Sequence, residues 1–410
     1  MTTTSSEAES PPAPDPRPLY TLWQMTAYAL RLGALGFGGP VALVGYMHRD
    51  LVERRGWISD TEYKEGLTLA QLMPGPLAAQ LAIYLGYVHY GVLGATLVGV
   101  AFVIPSFLMV VALGWAYVRF GGLPWMLSAF YGVGGCVIGI MTISAYRLTQ
   151  RTIGRDWLLW AIYLVSAAVT VWTESETVFL FLGAGVVNWL HRTPPRLLSH
   201  RGPTAASLAL LPVGAAASET PLSEWETLGR IALFFTKAGA FVFGSGLAIV
   251  PFLYGGVVKD YHWLKEREFL DAVAVAMITP GPVVITVGFI GYLVQGFAGA
   301  TVAAVATFLP CYLFTIIPAP YFKKHGKRPG IVAFVDGVTA AAIGAIAGSV
   351  IVLGRRTLLD SNASIEIPKL IILAITIGLL WKFKKLPEPI IVVAAAIAGL
   401  VVFPIVHRGP

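Results

Sequence analysis

The sequence predicts an all-α polytopic integral membrane protein, an internal duplication of two homologous halves, expected as inverted repeats whose helices break at Pro-Gly-Pro. Three observations carry this. First, 56% of the residues are hydrophobic and 12% charged, with a mean hydropathy of +0.72, whereas an average soluble domain is about 25% charged. Second, the runs Val92 to Val118, Leu123 to Ala145, Pro329 to Gly354 and Ile390 to Val406 are of the order of the 20 residues that cross a bilayer. Third, the chain repeats itself. Gly36-Phe37-Gly38-Gly39-Pro40, Trp57, Glu62 and Pro74-Gly75-Pro76 return as Phe243-Gly244-Ser245-Gly246, Trp263, Glu268 and Pro280-Gly281-Pro282, and Phe37, Trp57 and Pro74 each precede their counterparts by 206 positions. One residue is then dropped, and Gly94-Ala95-Thr96 matches Gly299-Ala300-Thr301, as Pro105 matches Pro310, at 205.

The elements follow in order. Residues 1–19 are rich in Ser, Thr, Pro and acid and lack the layout of a secretory signal, so a disordered tail is expected. A first repeat over 20–191 holds apolar segments at 21–47, 66–90, 92–118, 123–147, 156–173 and 177–190. A proline-containing linker is expected over 192–226, with an apolar stretch at 204–217 that could form a short extra segment. The second repeat, 227–410, holds segments at 227–257, 270–295, 297–322, 329–354, 368–382 and 387–406, which makes about twelve crossings. The Lys and Arg residues behind the net charge of +7 sit mostly between these segments, as in Lys323 to Arg328 and Lys382 to Lys385. A membrane accounts for the charge, with no nucleic acid needed. Basic residues fall on both sides of a simple alternating topology. Either the repeats have opposite orientations, or segments broken by Pro and Gly fold back as hairpins, and both devices occur in transporters built from repeats.

The chemistry is expected where helices cannot continue. Residues 70–80 read Ala-Gln-Leu-Met-Pro-Gly-Pro-Leu-Ala-Ala-Gln, and residues 276–286 read Ala-Met-Ile-Thr-Pro-Gly-Pro-Val-Val-Ile-Thr. Each proline lacks an N–H and crowds the preceding turn, so the helix breaks. Pro76 and Pro282 fit the first position of a new half-helix, whose next N–H groups have no intrahelical acceptor and carry the positive end of the dipole. That is an anion site within the bilayer, where irregular backbone is tolerated only if it lines a cavity or is buried in protein. The runs place Gln80 and Thr286 at the same sites. The glycine-rich stretches Gly36 to Pro40 and Gly244, Ser245 and Gly246 let backbone approach a ligand. Arg31 and Lys237, again 206 apart, are cations within apolar runs, a costly placement that signals function. Two cations would match a divalent oxyanion. Glu65, Asp271 and Asp336 are candidates for proton coupling, Asp336 because its counterpart is Tyr131. Trp57 and Trp263 are expected as interfacial anchors.

Other chemistries lack their signatures. The two cysteines, Cys136 and Cys311, cannot build a disulfide framework or a four-thiolate metal site. No metal or cofactor is expected. There is no phosphate-binding loop, no His-Glu-x-x-His and no cluster of acids, histidines or nucleophiles in a membrane run, which argues against an ATP-driven pump and against a membrane-embedded enzyme. An anion channel using the same backbone sites is the alternative from another class.

The duplicated Phe-Gly-Gly-Pro and Pro-Gly-Pro elements, with Trp and Glu between them, resemble the chromate ion transporter family in its long, two-domain form, over nearly the whole chain from Leu22 to Val406. The resemblance implies a multi-pass carrier of the plasma membrane, the inner membrane in a Gram-negative cell, that exports chromate, is driven by protons and confers resistance. It implies oppositely oriented halves. The family motif falls on Phe37, Gly38, Gly39 and Pro40, on Pro74, Gly75 and Pro76, and on Pro280, Gly281 and Pro282; the second glycine-rich element departs from it at Ser245 and Gly246. Sulfate shares the shape and charge of chromate, so a sulfate or general oxyanion carrier is the first alternative. A homodimer is a further expectation.

Overall fold

The computed structural model describes residues 20–37, 39–120, 124–173, 178–193, 223–242, 249–321, 328–359, 366–383 and 388–406. Among them the chain is helical: α1 (Leu22–Leu35), α2 (Gly39–Met47), α3 (Asp60–Leu72), α4 (Leu77–Phe120), α5 (Pro124–Thr152), α6 (Trp157–Thr173) and α7 (Val178–Arg192) form the first half. The second half comprises α8 (Glu224–Phe241), α9 (Ile249–Leu253), α10 (Glu266–Ile278), α11 (Thr286–Ile316), α12 (Pro329–Leu358), α13 (Ile367–Lys382) and α14 (Glu388–Val406). Five helical stretches, Leu77–Phe120, Ser128–Gln150, Val283–Tyr321, Pro329–Leu358 and Glu388–Val406, are long and apolar enough to cross a membrane. The chain is a multi-pass membrane protein.

The repeat survives in local detail. A π-helical turn follows α2 at His48–Arg54 and α9 at Tyr254–Asp260. Trp57 then donates its backbone N–H to the Leu51 carbonyl, and Trp263 donates to Val257, each at 2.8 Å. The repeated glutamates are caps: Glu62 accepts from the Ser59 N–H at 3.0 Å and Glu268 from the Lys265 N–H at 2.8 Å, satisfying donors that the first helical turn leaves open. Trp57 stacks on Tyr20 and Trp263 on Tyr261, so both indoles pack within aromatic clusters.

Two segments expected as simple crossings are folded hairpins. Gly66 of α3 approaches the Tyr84 ring, and His89 lies 3.3 Å from Glu62, contacts that require α3 and the start of α4 to run antiparallel about Pro74-Gly75-Pro76. The segment 66–90 therefore turns back on itself. α4 reverses again at Gly91, whose φ of 57° and ψ of −149° suit glycine alone. A Cβ on Gly86 would lie 2.5 Å from the Gly94 carbonyl oxygen, and one on Gly99 2.9 Å from Ile83, although 83 and 99 would be about 24 Å apart in a straight helix. Gly296 repeats the reversal in α11 with φ 56° and ψ −148°. Each half thus contains a re-entrant hairpin, α3 to α4 or α10 to α11, followed by a long helix.

The halves are inverted. Gly134 of α5 faces Thr357 of α12, and Gly354 of α12 faces Ile138 of α5, so these two equivalent helices are antiparallel. Thr96 bonds Tyr312 at 2.6 Å while Phe107 packs edge-on against Phe297, which makes the equivalent long arms of α4 and α11 antiparallel too. Equivalent spanning helices in opposite directions are related by an axis lying in the membrane plane. The halves also exchange partners: α12 packs on α6 and α7, and α5 on α13 and α14. Asn188 donates to the Ala333 carbonyl at 2.6 Å and Ser166 to that of Ala341 at 2.7 Å. A Cβ on Gly135 would lie 2.7 Å from the Lys369 carbonyl, the close approach that small residues allow in membranes.

Candidate functional site

The two Pro-Gly-Pro tips are tied crosswise between the halves. Gly75 donates its N–H to the carbonyl of Val242, the residue that ends α8, at 2.5 Å; Gly281 donates to the carbonyl of Gly36, which ends α1, at 2.9 Å. Val242 and Gly36 are themselves 206 positions apart, so the pair of bonds obeys the repeat. Each re-entrant tip meets the break in the other half's first helix. Gly75 (φ 142°) and Gly281 (φ 93°) lie where L side chains are strained. The glycine N–H groups are therefore occupied, and the open donors are those of the turns that follow.

At the first tip Pro76 is a cap, not the first helical residue, since the Gln80 N–H bonds the Pro76 carbonyl at 3.0 Å. The N–H groups of Leu77, Ala78 and Ala79 stand at the head of α4, where the dipole favours an anion. Gln80 is fully buried; its Nε2 donates to the Pro74 carbonyl at 2.8 Å and its Oε1 has no partner among the described residues. At the second tip Pro282 caps a 3₁₀ turn, Val283–Ile285, before α11. Thr286, buried, is satisfied by the Val283 carbonyl at 2.7 Å. Its turn faces Ser106 of α4, whose hydroxyl donates to the Gly33 carbonyl at 3.2 Å. Sequence reasoning missed Ser106; its counterpart at 205 is Cys311, so the repeat carries no signal for it. Thr286 and Gln80 differ likewise, and the two tips are chemically unequal.

Around the tips, Phe37 is exposed and Gly39 and Pro40 open α2, while Gly38, Gly244, Ser245 and Gly246 lie outside the described residues. Arg31 and Lys237 are exposed, with no ion-pair partner among the described residues, each four residues before the last residue of α1 or α8. About 8 Å of helix separates each from the break beyond it.

The three carboxylates have separate surroundings. Glu65, half-buried, lies 3.5 Å from the Tyr84 hydroxyl on its own hairpin. Asp336 pairs with Arg192 at 2.8 Å, and the same guanidinium holds Asp156 at 2.6 Å. This triad joins α12 to the first half at a membrane edge, and the Arg192 hydrogen bond, opposed in part by burial, holds the Asp156 carboxyl below its usual range. Asp271 is 5% exposed and accepts from the Tyr117 hydroxyl of α4 at 2.8 Å. It lines a cavity of about 320 Å³ at the mouth of the second hairpin.

Comparison with known proteins matches the sequence of both halves. A family model described as chromate transporter matches residues 23–189 and again 229–400. The chain is 67% identical over 391 residues to a chromate transport protein of Cupriavidus metallidurans, covering 95% of this chain and 96% of the relative. It is 64% identical to a probable chromate transport protein of Synechococcus elongatus, over 94% of this chain and 96% of that one, and 31% identical to a chromate transport protein of Pseudomonas aeruginosa, over 98% and 96%. No solved structure matches. Duplicated in sequence, inverted in fold and matched twice along its length, the chain belongs to the chromate transporter family.

Proposed function

We propose that this chain is a secondary carrier that exports chromate across the plasma membrane, the inner membrane of a Gram-negative cell, driven by the proton motive force, and so confers chromate resistance. The observation that carries the reading is the crosswise pair of bonds, Gly75 to Val242 and Gly281 to Gly36. A re-entrant tip tied to the broken helix of an inverted partner is placed to pass a substrate between the two sides as the halves move. The names of the relatives supply the substrate.

In this reading a tetrahedral oxyanion takes hydrogen bonds from Leu77, Ala78 and Ala79 at the first tip and from Val283 and Val284 at the second. Pro74, Gly75, Pro76, Pro280, Gly281 and Pro282 shape the cradle. Gln80 braces the first tip through Pro74. Arg31 and Lys237 raise the local concentration of the anion and screen its charge. Phe37, Gly38, Gly39 and Pro40, with Gly244, Ser245 and Gly246, are further substrate-binding candidates on their sequence and repeat register. Backbone N–H groups read charge and shape, not the central atom, so sulfate is the competitor the site distinguishes least.

The test is the initial rate of chromate uptake into inverted membrane vesicles, with sulfate as competitor and with a proton uncoupler. Saturable, uncoupler-sensitive uptake supports the exporter. Robust movement of sulfate without chromate replaces the substrate, and unsaturable conductance replaces the carrier with a channel.

A further inference from the structure

The cavity at the mouth of the second hairpin ends on a carboxylate that the oxyanion site does not use. Asp271 sits on α10, about 10 Å of helix before its end at Ile278, and is 5% exposed. Its hydrogen-bond donor, Tyr117, belongs to the other half. The Tyr117 ring is held edge-on between Phe130 of α5 and Phe289 of α11, so the hydroxyl is fixed in place. This bond is a side-chain tie between the re-entrant hairpin and the long arm of α4.

Asp271 shares the cavity wall with several charged groups. Of the charged groups on the cavity wall, Arg356 pairs with Glu266, and Lys369 pairs with Glu366 at 3.0 Å. The remaining titratable groups facing it are Arg267 and Glu268 on its own helix, Tyr131 on α5, and Tyr254 on the π-helical turn. α11 and α14 contribute phenylalanines, Phe289 and Phe403. The equivalent Glu65 meets a tyrosine of its own hairpin, Tyr84, and is more exposed.

Resting on the carrier reading above, we propose that Asp271 is the proton-binding site of the transport cycle, loaded from this cavity, and that Tyr117 is its positioning residue. A proton from cavity water adds to the carboxylate, the acid then makes a weaker bond with Tyr117, and the hairpin is released from α4; the proton leaves when the halves have exchanged sides. Tyr117 thus makes hairpin movement conditional on the charge of Asp271.

The experiment is carbodiimide labelling of the wild-type protein in proteoliposomes over a pH series, with the modified residue read by peptide mass spectrometry. Labelling at Asp271 that rises as pH falls is expected, because carbodiimides attack the protonated acid. Tyr117→Phe removes a bond to the charged form and should move the midpoint up by about one pH unit. In parallel, Asp271→Asn should retain chromate exchange between the two faces and lose its acceleration by an imposed pH gradient. Absent or pH-independent labelling at Asp271, an unmoved midpoint in Tyr117→Phe, or a gradient response retained by Asp271→Asn would each overturn the proposal. If the wild type moves no chromate in either assay while Asp271 still titrates, the substrate reading fails and the proton site stands.

Discussion

Alanine at Gly281 should cost more than alanine at Gly75, although both replace the glycine of a Pro-Gly-Pro tip. Both backbones have positive φ, which strains any L residue by roughly 1–3 kcal/mol. The surroundings differ. A Cβ on Gly281 would overlap the Ser106 hydroxyl and lie 3.1 Å from both the Ser106 Cβ and the Gly33 carbonyl oxygen. Those neighbours belong to helices, so overpacking adds roughly 1–3 kcal/mol. A Cβ on Gly75 would meet the Gln80 carboxamide at 2.7 Å, a side-chain end that can swing away at the loss of its bond to Pro74, about 1 kcal/mol. Totals are therefore about 2–6 kcal/mol for Gly281→Ala and about 2–4 for Gly75→Ala. Ser106→Ala separates the causes: in the Gly281→Ala background it removes the overlapping oxygen and should restore part of the loss. Alone it should cost about 1 kcal/mol for the bond to Gly33. Thermal unfolding of detergent-purified variants, followed by intrinsic fluorescence, reads all four proteins. Equal melting of the two glycine variants, or no recovery from Ser106→Ala, would refute the reasoning.

Other perturbations follow from the same structure. Gly91→Ala and Gly296→Ala meet nothing within 4 Å, so each should cost about 2 kcal/mol of backbone strain alone, and shortening the neighbouring side chains should give no recovery in a melting series. Arg31→Ala and Lys237→Ala should raise the apparent KM for chromate several-fold, with Arg31→Lys milder; equal effects of Arg31→Ala and Arg31→Lys in flux assays would remove the charge role. Arg192→Met should abolish an acid-dependent part of stability. Asp156 has a depressed folded pKa, so the tie is present at neutral pH and fades as pH falls from about 3.9 through the folded value. Being partly exposed, it is worth less than about 1 kcal/mol, which melting in detergent from neutral to acid pH would show as a wild-type slope missing from the variant.

Much of the fold was legible because duplication leaves its landmarks in register. The constant spacing of Trp57 and Trp263 reflects the same bond to Leu51 and Val257, and that of Glu62 and Glu268 reflects two helix caps. The two explanations of the charge pattern, inversion and folded-back segments, both hold. Hydropathy could not show that 66–90 is a hairpin, since a re-entrant arm is as apolar as a spanning helix. It could not show that 21–47 breaks between α1 and α2 either, although the glycines there marked the place. The prolines expected at the first helical position, Pro76 and Pro282, are caps, and the donors expected after them are those of Leu77 to Ala79 and of Val283 and Val284. The glycine donors are spent on Val242 and Gly36, partners a linear reading cannot supply. Arg31 and Lys237 were found through register; their exposure depends on which side of α1 and α8 the hairpins occupy. Ser106 carried no signal, because its importance comes from lying against the tip of the opposite half.

The central claim, that backbone donors at the tips hold the anion, is tested most directly by equilibrium binding of chromate to purified wild type and Leu77→Pro. Proline is well tolerated at the first position of a helix, so the substitution deletes one N–H and leaves α4 in place, which an unchanged melting temperature would verify. Loss of a hydrogen bond to a charged ligand, about 1.5–3 kcal/mol, predicts binding weaker by roughly ten- to a hundredfold. An unaltered Kd in a protein of unaltered stability would contradict the account.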